Sequence, residues 1–198
     1  MIHTVVLDEV RPQPWRNGGG STQELLTWPT AADWLVRISV ACIERDGPFS
    51  AYPGIERWFA VVSGDGVFLR FSDEPLCLTA ETTPLRFDGV SAPDCQLRGG
   101  ATRDLNLMVR ADAAHGAMRR VSADVEWHSD AALRAVFTAD ETTLLVDAEL
   151  RVSLAAGSLA WSDTAAGERW RIVRTGTEPR AFWMEARSRI GTPEPNDG

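Results

Sequence analysis

The stretch "PWRNGGGST", residues 14–22, combines an Arg-Asn pair with three consecutive glycines. Backbone amides that carry no bulky side chains can form a concave nest for an anion. We therefore expect Asn17, Gly18 and Gly19 to contact an anionic ligand, with Asn17 adding a side-chain donor or acceptor. The alternative is architectural, a tight turn or strand crossing that accepts only glycine. The stretch is not a P-loop, because the Gly-Lys-Ser/Thr end of that motif is missing.

A second polar group lies in "WLVRISVACI", residues 34–43, which is rich in β-branched and apolar residues, as is typical of a buried strand. Arg37 and Ser39 are two residues apart, so in a strand they project from the same face. An arginine guanidinium binds a carboxylate through paired hydrogen bonds and stays charged at any relevant pH. We expect Arg37 and Ser39 to bind a carboxylate. In the alternative interpretation, Arg37 forms a partly buried ion pair with one of three acidic residues: Asp46, Asp104 or Glu24.

The segment "RDLNLM", residues 103–108, alternates between polar and apolar residues. In a strand, Asp104 and Asn106 share one face, while Leu105 and Leu107 share the other. A buried Asp-Asn pair needs partners, because an unpaired polar group in an interior is costly. We expect Asp104 to be satisfied by internal arginines and Asn106 to hydrogen-bond a ligand.

Short strands separated by turns predict an all-β sandwich or barrel. Residues 58–62 and 67–71 are predicted to form a hairpin through the Asp-Gly turn at 65–66. Residues 22–28 favour a strand over the short helix that a Ser21–Glu24 capping box would start. Residues 129–137 are the clearest helical candidate, and residues 111–118 the best candidate for a crossing between two halves.

Composition excludes several classes of function. The 198 residues carry a net charge of −8, which argues against nucleic-acid binding, since that requires a basic face. All twenty basic residues are arginines, so lysine chemistry is excluded. No apolar run reaches the roughly 18 residues of a membrane span, and the N-terminus resembles no secretion signal. We expect a cytoplasmic protein without membrane association, whose three cysteines are reduced and partly buried.

Four stretches together resemble the HutD (Ves) family of bacterial cupin-like proteins: "PWRNGGGSTQEL", "WLVRISVACIERDGPFSAYPGIERWFAVVSGDG", "FDGVSAPDCQLRGG" and "RDLNLMVR". The resemblance implies a cupin-like double-stranded β-barrel, with two barrel halves in one chain, a bicupin. On this basis we expect an N-terminal barrel at 1–110, a C-terminal half at 111–190 packed on it, and a loosely ordered tail at 191–198. By analogy with cupins, a homodimer is possible.

The resemblance to cupins also bears on metal binding. Counting back from Gly64 with the usual cupin spacing places Arg57 where metal-binding cupins have a ligating glutamate. No histidine precedes it in the motif region, and a catalytic metal needs three or more donors. We therefore predict a site without metal or cofactor, in which Arg57 binds the carboxylate of a small metabolite. The alternative is a solvated arginine at a strand entrance.

The family is associated with bacterial histidine utilisation. We therefore expect a small-molecule binding protein that acts as a regulator or sensor and takes a carboxylate or other organic anion. One alternative is an enzyme, a hydrolase or isomerase of a pathway intermediate, with Asp104 or Glu24 as the general base. Another is a non-catalytic protein-interaction module.

Overall fold

The computed structural model describes residues 1–72, 74–164, 167–174 and 176–189, so the predicted tail at 191–198 lies outside the described residues. Within the described ranges, the regular secondary structure is almost entirely β-strand, with one short 3-10 helix at Leu7–Glu9. No helix in these ranges is long and apolar enough to cross a membrane. The strands are, in chain order, β1 (His3–Val6), β2 (Gln13–Pro14), β3 (Gly20–Pro29), β4 (Trp34–Ile43), β5 (Gly47–Pro48), β6 (Ile55–Ser63), β7 (Val67–Arg70), β8 (Pro75–Leu78), β9 (Leu85–Asp88), β10 (Asp94–Leu97), β11 (Thr102–Arg110), β12 (Ala114–Arg120), β13 (Trp127–His128), β14 (Leu133–Thr138), β15 (Thr142–Val146), β16 (Leu150–Leu154), β17 (Ser158–Ser162), β18 (Arg169–Val173) and β19 (Ala181–Ser188).

The strands form four sheets. The first half of the chain supplies a six-stranded sheet, β2-β3-β4-β11-β6-β9, and a four-stranded sheet, β5-β10-β7-β8. The second half supplies most of a five-stranded sheet, β1-β17-β14-β19-β12, and a four-stranded sheet, β13-β18-β15-β16. The predicted all-β class is confirmed. The predicted closed barrels are not seen, because each of these sheets is open in the described part of the chain.

Three hydrophobic clusters lie between the sheets and define a stack of four layers. The central cluster joins the two large sheets, and its members include Ile38 of β4, Leu107 of β11 and Phe182 of β19. A second cluster lies inside the second half. A third lies inside the first half, between the six-stranded sheet and its four-stranded partner, and it includes Phe59 and Cys95. Each large sheet therefore contributes apolar side chains to two clusters, one on each of its faces.

The predicted strand at 34–43 is confirmed as β4, and the alternation in β11 is confirmed as well. Leu105 and Leu107 of β11 contact the central cluster. Asp104 and Asn106 project from the opposite face, toward the interior of the first half. The predicted strand at 22–28 is confirmed within β3, which pairs with β4.

The predicted hairpin between residues 58–62 and 67–71 is wrong. Both strands exist, but β6 pairs with β9 and β11, whereas β7 pairs with β8 and β10 in the other sheet. Gly64 and Gly66 adopt positive φ angles of 92° and 94°, as the turn requires. The turn therefore carries the chain from one layer to the next, with Thr102 Oγ1 accepting a hydrogen bond from the Gly66 amide.

The predicted helix at 129–137 is also wrong. Leu133–Thr138 is strand β14, and all six of its residues are buried between β17 and β19. Within residues 111–118, only 111–113 connect β11 to β12, because strand β12 already begins at Ala114. That this connection is a crossing between two halves stays a prediction.

The first strand of the chain lies in the second half of the molecule. β1 pairs antiparallel with β17, so that Thr4 lies opposite Ala160. The remaining strands up to residue 110 pair only with one another in the described ranges. A division near residue 110 stays a prediction, and β1 is the segment that crosses it.

Candidate functional site

A cavity of about 560 Å³ opens on the inner face of the six-stranded sheet. Its size is within the range of small-molecule sites. Its walls come from the turn before β3, the inner faces of β4, β6 and β11, and the loop between β5 and β6. The lining residues are Gln13, Pro14, Trp15, Arg16, Asn17, Thr22, Arg37, Ser39, Ala41, Pro48, Phe49, Ser50, Tyr52, Arg57, Asp104, Asn106 and Met108.

Arg57 lies on β6 and points inward, on the same face as Phe59. Only 6% of the residue is exposed, so it is not the solvated arginine of the alternative interpretation. Its guanidinium carbon lies 5.0 Å from the ring centroid of Phe87 and 5.5 Å from those of Phe49 and Tyr52. Three aromatic faces therefore surround the cation, and each contributes a favourable cation–π contact. Burial lowers the pKa of Arg57, although arginine stays protonated in proteins.

A chain of hydrogen bonds joins Arg57 to a buried carboxylate. Arg57 Nη2 donates to Asn106 Oδ1 at 3.0 Å, and Asn106 Nδ2 in turn donates to Asp104 Oδ2. Arg57 Nη1 lies 3.5 Å from the Ser50 carbonyl oxygen, at the long limit of a hydrogen bond. Arg57 Nε has no hydrogen-bond partner among the described residues. Asn106 therefore orients the guanidinium through Nη2, and Nε remains as a donor without an acceptor among the described residues.

Asp104 is 1% exposed, and its Oδ1 has no hydrogen-bond partner among the described residues. Burial raises the pKa of Asp104 to about 7, while Arg57 and the hydrogen bond from Asn106 act in the opposite direction. Desolvation dominates because Asp104 is almost fully buried and Arg57, which is connected to it through Asn106, makes no direct ion pair with it. The pairing of β11 with β6 shifts register between Arg103 and Asp104, as bulges near functional sites often do.

Arg37 and Ser39 lie on β4 and both line the cavity, as their spacing predicted. Arg37 Nε lies 2.6 Å from Glu24 Oε2, which confirms one of the three predicted ion pairs. The contact lacks hydrogen-bond geometry at Nε, and both side chains keep partial exposure, so its net contribution is small. Arg37 is therefore a neutralised cation on the wall, whereas Ser39 is buried.

The glycine run is a turn whose amides are already used. Gly18 has a φ of 68°, and its amide donates to the Trp15 carbonyl oxygen at 3.0 Å. The Gly19 amide donates to Asn17 Oδ1 at 3.0 Å. A Cβ on Gly20 would lie 2.1 Å from the Cys42 carbonyl oxygen, so β3 approaches β4 as only glycine permits. The architectural interpretation explains the run, and neither Gly18 nor Gly19 is among the lining residues.

Five of the seven predicted ligand-binding residues meet at this cavity: Asn17, Arg37, Ser39, Arg57 and Asn106. That each of them binds a ligand stays a prediction. Sequence reasoning missed the aromatic enclosure of Arg57, in which Phe49 and Tyr52 come from a loop and Phe87 from β9. The aromatic residues in "GPFSAYPG" were the available signal, because a Gly/Pro-rich loop otherwise carries few rings.

The donors that a metal would need are not grouped at this site. Among the residues that the structure describes, no three His, Cys, Asp or Glu side chains lie close enough to hold a metal ion. Asp104 is the one carboxylate among the lining residues, and Arg57 lies nearby. That the protein works without a metal stays a prediction.

The HutD family model matches residues 7–179, most of the chain and all of the cavity. This chain belongs to the HutD family. A curated relative is an uncharacterised 21.2 kDa protein from the hutC 3′ region of Pseudomonas putida. It is 33% identical over 143 residues, which span 71% of this chain and 70% of that protein.

Two solved structures resemble this HutD-family chain over nearly its whole length. A conserved protein of unknown function from Pseudomonas aeruginosa PAO1 is 26% identical with a TM-score of 0.86, covering 95% of this chain and 100% of that one. HutD from Pseudomonas fluorescens SBW25, described as a formate condition, is also 26% identical, with a TM-score of 0.82 and coverage of 96% and 100%. Protein Ylba from E. coli and a 2-hydroxyethylphosphonate dioxygenase, at 8% and 9% identity with TM-scores of 0.67 and 0.65, share the fold alone.

Proposed function

We propose that this HutD-family chain is a metal-free small-molecule binding protein that takes a carboxylate or other organic anion in the cavity. We further propose that it acts as a regulator or sensor in bacterial histidine utilisation. The observation that carries the proposal is the buried, aromatic-enclosed guanidinium of Arg57 at the cavity wall.

Burial of a cation is expensive, since the effective desolvation penalty amounts to several kcal/mol per ion. Arg57 recovers part of this through three ring contacts and Asn106, but Nε is left without a partner among the described residues. A buried donor without a partner calls for an acceptor, and we propose that the ligand supplies it. A carboxylate fits, because its two oxygens match two N–H groups of a guanidinium.

The relatives support the choice of pathway. The P. putida relative is named for the region beside hutC, and the P. fluorescens structure was obtained in a formate condition. Formate is the smallest carboxylate and fits easily into about 560 Å³. The proposed ligands are urocanate, a formylated or formiminated glutamate, or formate.

For the fold, we propose that each half is a cupin-like unit, so that the chain is a bicupin. Support comes from the repeated order of sheets, since each half pairs a larger sheet with a four-stranded one.

We also propose a cytoplasmic homodimer. Size-exclusion chromatography with light scattering tests it, and a species at the monomer mass over a wide concentration range would remove it.

Calorimetric titration with these carboxylates, with EDTA present, tests the binding proposal. Wild type is expected to give saturable heat, and Arg57→Ala to lose it, while Arg70→Ala keeps it, because Arg70 lies on β7, exposed and outside the cavity. Circular dichroism verifies that both variants fold, and Arg57→Gln serves if the alanine variant does not. No heat from any compound with wild type would refute the proposed ligand class.

An enzymatic role is favoured by the position of Asp104, a buried carboxylate at the cavity wall, since burial raises its pKa to about 7, where a general base is efficient. Time-resolved NMR of the protein with each intermediate separates the two functions. A binding protein leaves the compound unchanged, whereas Asp104-dependent turnover would replace the sensor proposal with an enzyme.

A further inference from the structure

The interior of the first half holds a single cation and a single carboxylate, counted over the described residues that are buried on the cavity side. Arg57 is 6% exposed and Asp104 is 1% exposed, and Asn106 joins them. When Asp104 is ionised, the two charges balance while the cavity is free of other ions. A ligand carboxylate that binds Arg57 adds a second negative charge, and two carboxylates that share one desolvated cation cannot both stay ionised at low cost.

We infer that an anion binds at Arg57 together with one proton, which Asp104 takes up, so that Asp104 sets which anions and which pH the site accepts. The inference rests on the proposed function, because it describes how the same cavity receives its ligand. The proton comes from solvent and bonds to a carboxylate oxygen of Asp104, and no other bond forms or breaks. Asp104 is here a specificity-determining residue.

The surroundings of Asp104 favour the neutral form once Arg57 is engaged. Its Oδ1 receives no hydrogen bond from the described residues, so the carboxylate is stabilised only at Oδ2 and through Arg57. When a bound ligand anion offsets part of the positive charge of Arg57, that charge stabilises ionised Asp104 less, and the effect of desolvation on Asp104 is less opposed. The pKa of Asp104, already raised to about 7 by burial, then rises further on binding.

The other titratable groups around this pair do not supply the proton change. Arg37 from β4 and Tyr52 from the loop before β6 act on Arg57, and Arg16 from the turn before β3 also lines the cavity. Cys95 from β10 faces Asp104 and Asp46, and burial raises its pKa to about 12, so the thiol stays protonated near neutrality. Arg37 keeps its charge. Within pH 6–8, Asp104 is the buried group of this set whose protonation changes.

The coupling has a definite direction. At pH 6, Asp104 of the free protein is already mostly protonated, so the anion binds without proton exchange. At pH 8 the free protein holds Asp104 ionised, and binding draws in up to one proton. By linkage, affinity is then flat below pH 7 and falls up to tenfold per pH unit above it.

Calorimetry with formate and acetate as probes tests the inference. Titrations at pH 8 in Tris, triethanolamine and imidazole, which are cationic or neutral buffers with different ionisation enthalpies, give the number of protons taken up from the slope of the observed heat. We expect close to one proton at pH 8 and close to none at pH 6. Asp104→Asn is expected to take up none and to bind with a pH-independent affinity, while Glu44→Gln, an exposed carboxylate control outside the cavity, behaves as wild type.

The outcomes separate the two proposals. Wild-type binding with no proton uptake at pH 8 would overturn the inference and leave the proposed function standing. Binding by Asp104→Asn that still takes up a proton would overturn the assignment to Asp104. No heat from either probe at pH 6 would overturn the inference, whereas the proposed function falls only if urocanate and the substituted glutamates also give no heat. If the Asp104→Asn variant does not fold, the wild-type buffer series alone decides whether a proton is taken up.

Discussion

Substitution of Gly20 by alanine should destabilise the fold strongly, because the turn before β3 brings two backbones together at this residue. A Cβ there would lie 2.1 Å from the Cys42 carbonyl oxygen and 3.2 Å from the Trp15 ring. The carbonyl belongs to β4 and cannot rotate away as a side chain would. Gly18 and Gly100 provide matched comparisons, since a Cβ at either would meet nothing within 4 Å.

The magnitude follows from the distances. To relieve the contact, the start of β3 must move away from β4 by roughly 1 Å, and about two backbone hydrogen bonds, each with a net value of about 1 kcal/mol, are lost. Residual overpacking adds about 1 kcal/mol, so the free energy of unfolding falls by about 3 kcal/mol. Gly18 has a φ of 68°, so alanine there costs about 1 kcal/mol in backbone strain alone.

Thermal unfolding followed by circular dichroism measures the difference. In a chain of this size, 1 kcal/mol corresponds to about 2–4 °C in Tm, so Gly20→Ala should lower Tm by about 6–12 °C and Gly18→Ala by about 2–4 °C. Gly100→Ala should leave Tm nearly unchanged. A Gly20→Ala protein as stable as wild type, or one more stable than Gly18→Ala, would refute the close-approach explanation of the glycine run.

Three further predictions concern buried groups. Because the native state holds the Asp104 proton up to a pKa of about 7 and the unfolded chain releases it near pH 4, the free energy of unfolding should fall as pH rises between these values. Asp104→Asn should remove this pH dependence in urea titrations, and an identical pH profile in both proteins would contradict the prediction. Glu56→Gln should lower the free energy of unfolding by about 2 kcal/mol, since Glu56 is buried and its Oε2 accepts two hydrogen bonds from Arg86. Equal Tm values for the variant and wild type would count against a stabilising role of Glu56. In native protein, a thiol reagent at pH 8 should modify exposed Cys77 but not Cys95, because burial raises the pKa of Cys95 to about 12. If mass mapping finds Cys95 modified before the protein unfolds, Cys95 is not buried in solution.

The strands that line the cavity could be predicted because their patterns are local. In β11, the alternation around Asn106 fixes which side chains share a face, and the same holds for Arg37 and Ser39 in β4. Arg57 could be placed only through the resemblance to cupins. Its burial depends on Phe87, thirty residues further along the chain, which no local pattern links to it.

The errors have physical causes as well. Residues 129–137 contain alanine and leucine, which favour helix, but β14 is buried between two strands, and tertiary packing outweighs propensity. The Asp-Gly turn at 65–66 was predicted correctly as a turn, yet turn chemistry does not specify which sheet the next strand joins. Likewise, the glycine run offers amides in sequence, and only the structure shows that Gly18 and Gly19 donate within the turn.

The pairing of β1 with β17 has a consequence for synthesis on the ribosome. Strand β1, His3–Val6, lacks its partner until Ser158–Ser162 has been made. Contacts between such distant segments slow folding, since a long loop must close before they form. Strand β1 therefore joins its sheet only when the second half is complete. A nascent chain halted near residue 110 exposes β1 as an unpaired strand that can associate with other chains.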